Sequence, residues 1–318
     1  MRPMRPMKED LRKRCADEKG QTTLFVLCSF MAFFMLFALV ANVGQAVNRR
    51  VMLQMVADAG AFTGASTQAT VMNTISEFNQ IIDTSWDVAT ALMLYWTFQF
   101  CGVDDAITGI YRIIETVMSI MIRVSNHGGA VWALMEAEMV TRQNIRDLFP
   151  DGSVHTPLES FGGLLSSPSS LGMGVSHIVN LQKAWPSLFS GFATVRLEQE
   201  TVQKNWICYT PPISLQGKNG RFNLPWKKTQ ADEVTRFYWW VSADPVDALV
   251  LPRKSWMPFG FPQVPAMTAV ALAKPIDGDV EPDKRGDKYV ARLIPLSTID
   301  AIFIDLGGTL PGLTEVLH

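Results

Sequence analysis

Few side chains in this sequence stand at spacings that do chemistry. Asp277, Asp279, Glu281 and Asp283 alternate, and alternating carboxylates can offer oxygen ligands to a hard cation. The run lacks the sixth-position glycine and closing bidentate glutamate of a calcium loop, and Lys284 and Arg285 compete for its charge, so a solvated turn is expected. Ile304 to Thr309 reads IDLGGT, the form of a phosphate-binding turn. Such a turn normally opens a large domain, whereas nine residues follow Thr309, so a simple glycine turn is expected here too. His127, His155, His177 and His318 have no metal-ligand spacing with one another or with the cysteines. The sequence also has no Gly-x-Ser-x-Gly elbow, no Walker loop and no His-Glu-x-x-His helix. No catalytic, cofactor-binding or metal-binding residue is therefore assigned, and the expectation is a protein that is not an enzyme.

The dominant stretch of the chain is apolar. Thr22 to Ala41 contains no charged residue and includes Leu24, Phe25, Phe30, Phe33, Phe34, Leu36, Phe37 and Val40. Twenty residues at about 1.5 Å each span roughly the 30 Å of a bilayer's hydrocarbon core. The run exceeds the ~7 to 15 residues of a cleaved signal's apolar region, which favours a retained anchor. Arg2, Arg5, Lys8, Arg12, Lys13, Arg14 and Lys19 precede it and only Arg49 and Arg50 follow closely, which places the N-terminus in the cytoplasm and the bulk outside. Val43, Val47, Val51, Met55 and Ala59 recur at helical spacing, so the helix is expected to continue as an amphipathic stem. A net charge of -2 over 318 residues gives no reason to expect a nucleic-acid partner. In this topology Cys101 and Cys208 share the oxidising side, and the sequence leaves open one disulfide or two buried thiols.

With these residues in view, the segment GQTTLFVLCSFMAFFMLFALVANVGQAVNRRVMLQMVADAGAFTGAS resembles the N-terminal segment of TadG-like and TadE-like proteins of the tight-adherence (Flp) pilus assembly system. The matching positions are Gly20, Asn42, Gly44, Arg49, Arg50, Gln54, Ala57, Asp58, Ala59, Ala61, Gly64 and Ala65; Asn42 stands where aspartate is common, and Gly60 interrupts the usual alanine run. AVALAKPIDG and DKYVARLIPL are similar to later strands of proteins with this anchor. Type IV prepilins also place a glycine before an apolar helix, but Phe25 stands where they carry glutamate, which argues against their cleavage at Gly20. The resemblance implies a bacterial inner-membrane, single-pass protein with a periplasmic bulk, and pilus-assembly or secretion proteins as partners, with homo-oligomers as a further option.

The remaining chain divides by composition. Residues 1–20 form a basic cytoplasmic tail, 21–65 the anchor and stem, and 66–150 a helical region without proline until Pro150. Turns are expected near Cys101 to Val103 and at Ser125 to Gly129, with Asp104 and Asp105 capping the intervening helix. ALMLYWTFQF is too short for a second span and is expected to be a core or interface helix. Residues 151–175 read as a linker, and 176–318 as an α+β region with a mostly antiparallel sheet. Helices around 175–189 and 297–305 are expected to pack on that sheet. The overall class is thus α+β: one transmembrane helix continuing into a helical stem and helical region, then antiparallel strands.

The function expected from this reading is mechanical. The small and polar stem residues Gln54, Ala57, Asp58, Ala59, Gly60, Ala61, Gly64 and Ala65 would allow close approach of a partner helix. The competing reading is an anchored extracytoplasmic ligand-binding or sensory module with Trp206, Trp226, Trp239, Trp240 and Trp256 as its surface, although core packing is the usual role of such residues.

Overall fold

The computed structural model describes residues 18–96, 101–159, 195–196, 200–210, 214–225, 227–228, 235–253, 260–280 and 288–294. The helices expected at 175–189 and 297–305, the IDLGGT turn, Trp226, Trp256, Glu281 and Asp283 lie outside them. Two helices come first: α1 (Glu18–Trp96) and α2 (Cys101–Leu148). They are followed by strands β1 (Val154–His155), β2 (Val195–Arg196), β3 (Glu200–Thr210), β4 (Ser214–Leu224), β5 (Lys227–Lys228), β6 (Phe237–Ala243), β7 (Met267–Ile276) and β8 (Val290–Leu293). The fold is mixed α+β with antiparallel sheets.

The chain forms two compact units. The first comprises residues 1–51 and 244–266. Its described part is the apolar beginning of α1 together with the segment that leaves β6 and returns to β7. The window of highest mean hydropathy in α1 reaches 2.7, and only 6% of it is buried, so the apolar side chains face outward as a membrane-crossing helix requires. One long apolar N-terminal helix of this kind fits a single-pass membrane protein.

The second unit comprises residues 52–243 and 267–318. Its main sheet runs β1-β6-β7-β8, with Trp239 opposite Ala271 and Val241 opposite Ala269. Aromatic residues on β6 therefore face alanines on β7, which keeps the layer thin enough for helices to cover it. Phe237, Trp239 and Val241 are fully or almost fully buried, as are Leu53, Ala57, Ala61, Ala65, Ala133 and Ala137 on the helices. A second cluster joins Met72, Ile75, Ile82, Trp86 and Met93 of α1 to Ile122 of α2 and to Trp206 and Phe222 of the β3–β4 hairpin. The sequence boundaries at residue 65 and at 151–175 fall inside this unit, because stem, helical region and strands share one core.

Three local expectations are corrected. The helix α2 starts at Cys101, so Cys101 to Val103 belong to its first turn and Asp104 and Asp105 lie inside the helix instead of capping it. The helix does not break at Ser125 to Gly129: α2 runs through Asn126, His127, Gly128 and Gly129. Asn126, Gly129 and Ala130 lie on the face that continues through Ala133 and Ala137 into the core, and that burial outweighs the roughly 1 kcal/mol that each helical glycine costs. The linker expected at 151–175 contains β1, with Val154 opposite Ala243 at the edge of the main sheet. After it, Thr156 and Glu159 form a reciprocal capping box: the Glu159 amide donates to Thr156 Oγ1, and the Thr156 amide donates to Glu159 Oε2, each at 3.3 Å.

Candidate assembly surfaces

The small residues of the stem meet the protein's own sheet. A Cβ on Gly64 would lie 2.2 Å from Phe237 Cε1, and one on Gly60 would lie 2.4 Å from Trp239 Cδ1 and 2.5 Å from Thr141 Oγ1. Ala57, Ala61 and Ala65 are 0% exposed on the same face. The close approach expected with a partner helix is thus taken up by β6 within the unit, because two aromatic rings need the room that glycine leaves. Gln54 Nε2 donates to Asp58 Oδ1 at 2.8 Å and to the Val270 carbonyl at 3.0 Å, tying the stem to β7. Asp58 therefore has an amide as its partner on the helix.

Cys101 and Cys208 are joined as a disulfide. It ties the start of α2 to β3 across a sequence separation of 107 residues. Asp104 is 1% exposed beside it, and burial pushes its carboxyl above the usual range, against the pull of Lys218. The two sulfurs and the Asp104 carboxyl lie within 4.8 Å of one another. Since the sulfurs bond each other, this cluster offers a cation only one carboxyl group.

The β3–β4 hairpin is fixed to the helices by an aromatic group. The Trp86 and Phe222 rings are 3.7 Å apart, and Tyr111 meets Phe222 edge-on at 4.7 Å. Lys204 pairs with Asp87, and Lys218 with Asp105, both at 2.9 Å. Trp206 is 5% exposed, while Trp239 and Trp240 are buried in the main sheet. The described tryptophans of the strands, Trp206, Trp239 and Trp240, therefore build core.

What the helices leave uncovered has a regular spacing. On α2, Ile110, Ile113, Val117, Ile120, Val124 and Val131 are 44 to 66% exposed. Their steps of three and four residues, followed by seven, are those of a heptad seam made from β-branched residues. Ile81, Val88 and Leu92 of α1 are exposed as well. Together with Ile107, Ile110 and Ile114 they line an open groove of about 610 Å³ between the two helices. The steps of three and four residues from Ile110 to Val124 are already present in the sequence.

In the first unit, Asn42, Gln45 and Arg49 form a clasp on one face of α1. Asn42 Oδ1 accepts from the Val250 amide at 2.8 Å while its Nδ2 donates to the Val250 carbonyl at 3.0 Å. Gln45 Oε1 accepts from the Leu249 amide at 2.8 Å, its Nε2 donates to the Asp247 carbonyl at 3.4 Å, and Arg49 Nη2 donates to the Asp244 carbonyl at 3.3 Å. Asn42 and Arg49 were singled out in the sequence as family-pattern positions; nothing in the sequence indicated the backbone that they hold. The segment is closed on itself by Val246 pairing with Val264 and by Arg253 and Leu251 pairing with Phe261.

Residues 20–67 match the family model of Flp pilus-assembly TadE/G-like proteins. The match spans the apolar helix, the clasp residues of α1 and the small-residue stem. Among curated proteins and among solved structures, nothing matches the chain.

Proposed function

We propose that the chain is a non-enzymatic, single-pass inner-membrane component of a bacterial Flp/Tad-type pilus-assembly or secretion apparatus, with its N-terminus cytoplasmic and its bulk periplasmic. The TadE/G-like match over residues 20–67 carries the link to pilus assembly. The basic residues before Thr22 support the orientation. In this reading α1 anchors the protein, the stem is locked to its own sheet, and α2 presents the heptad seam to an apolar helix of another assembly protein. A helix is the fitting occupant because steps of three and four residues match the knobs of a second helix.

The competing role as a ligand-binding module has less support, because the tryptophans that were to form its surface are buried where described. The test is pilus production by cells carrying Val117→Glu with Ile120→Glu. Both side chains are exposed, so the variant should accumulate in membranes at the normal level yet fail to support assembly. Normal pilus production by the double variant would refute the seam as the contact.

A further inference from the structure

We propose that residues 244–253 are a second membrane contact, a stretch that rests in the bilayer's interfacial layer beside the span. This rests on the reading of Thr22 to Ala41 as membrane-spanning.

The clasp sets the level of the loop. Asn42 and Gln45, which hold Val250 and Leu249, begin one and four residues after Ala41. At about 1.5 Å per residue they lie roughly 1.5 to 6 Å beyond the apolar run. The interfacial layer of one leaflet is about 5 to 7 Å deep, the difference between core and whole bilayer shared over two sides. Leu249 and Val250 are therefore held at headgroup depth.

Cover on this helix face also begins inside the run. Ala38, one turn before Asn42 and on the same face, is 0% exposed, whereas its neighbours Phe37 and Leu39 are 66% and 46% exposed. The opposite side of α1 stays apolar at the level of the clasp: Val43 and Val47 are 53% and 57% exposed.

The loop presents what an interface takes. Leu249 is 68% exposed, Leu251 is half-buried with a φ of 51°, and Arg253 is exposed. A leucine side chain left in water beside a bilayer gains by entering it, and an adjacent arginine meets lipid phosphate. The anchored chain would then be held at two points of one leaflet, which restricts rotation of α1 about its axis.

The test uses the full chain in phosphatidylcholine vesicles containing phosphatidylglycerol. An environment-sensitive fluorophore is attached singly at Leu249→Cys, at Phe33→Cys within the span, or at Leu215→Cys on β4, each with Cys15→Ser and Cys28→Ser. Leu249 and Leu215 are exposed, so labelling leaves the core intact. The expected result is that the Leu249 label loses most of its emission to lipids carrying a quencher near the headgroup and resists iodide, whereas the Leu215 label shows the reverse. Iodide access at Leu249 equal to that at Leu215, with Phe33 quenched by lipid, overturns the loop contact alone. Shielding at Leu249 from both quenchers points to a protein contact and also overturns it. Absence of lipid quenching at Phe33 overturns the span reading and the loop proposal with it.

Discussion

Gly64→Ala tests the packing of stem against sheet. The new methyl would lie 2.2 Å from Phe237 Cε1 and 2.4 Å from Cζ, so a ring that is itself 1% exposed must shift. Overpacking of this kind costs about 1 to 3 kcal/mol, and the short distance places the cost in the upper half of that range. Alanine regains about 0.8 to 1 kcal/mol over glycine through helix propensity, which leaves a net loss of about 1 to 2 kcal/mol. Gly109→Ala on α2 is the control, because nothing lies within 4 Å of its Cβ position. At about 2 to 4 °C per kcal/mol for a unit of this size, Gly64→Ala should lower Tm by about 2 to 8 °C, and Gly109→Ala should raise it by about 2 to 4 °C. The assay is thermal unfolding of the detergent-solubilised full chain followed by tryptophan fluorescence. Equal increases in both variants would refute the contact between the stem and β6.

Three further outcomes are expected. Reducing the Cys101–Cys208 bond, or replacing both cysteines by serine, should cost about 4.7 kcal/mol from the entropy of the loop it closes; a Tm unchanged by reductant would contradict this. Burial raises the Asp104 carboxyl in the folded state above its unfolded value, so its contribution to stability is present below the unfolded pKa and lost as pH rises through the folded one. Stability should therefore fall less between acid and neutral pH in Asp104→Asn than in the parent, and parallel pH profiles would count against a raised carboxyl. Asn42→Ala removes both bonds to Val250, each worth about 0.5 to 1.5 kcal/mol, so amide exchange at Val250 should accelerate by roughly ten- to a hundredfold; unchanged protection would exclude the clasp.

The parts of the fold legible in the sequence are those set by local pattern. The uncharged run from Thr22, the absence of proline up to Pro150, and the β-rich stretches that became β6, β7 and β8 each announce their element within a short window. The rest depends on contacts distant in sequence. β4 reads SLQGKNGRFNL, glycine-containing and polar enough to pass for a turn, yet it is a strand of 11 residues because β3 supplies a partner for its whole length. Gly128 and Gly129 looked like a helix break because the core cover of their neighbours Asn126 and Ala130 is invisible locally. The small stem residues were expected to meet a partner helix, and sequence alone did not tell such a helix from Phe237 and Trp239 more than 170 residues away. The clasp was hidden for the same reason: Asn42 and Val250 are 208 positions apart.

The role of the α2 seam is tested most directly by capture of the full chain from native membranes through a C-terminal tag, with a photo-crosslinking residue at Ile120 and mass spectrometry of the adducts. A crosslink from Ile120 to a helix of another Flp pilus-assembly protein, on a chain with an uncut N-terminus, is the expected result. A chain recovered without protein adducts, or crosslinked only to a soluble ligand, would contradict it.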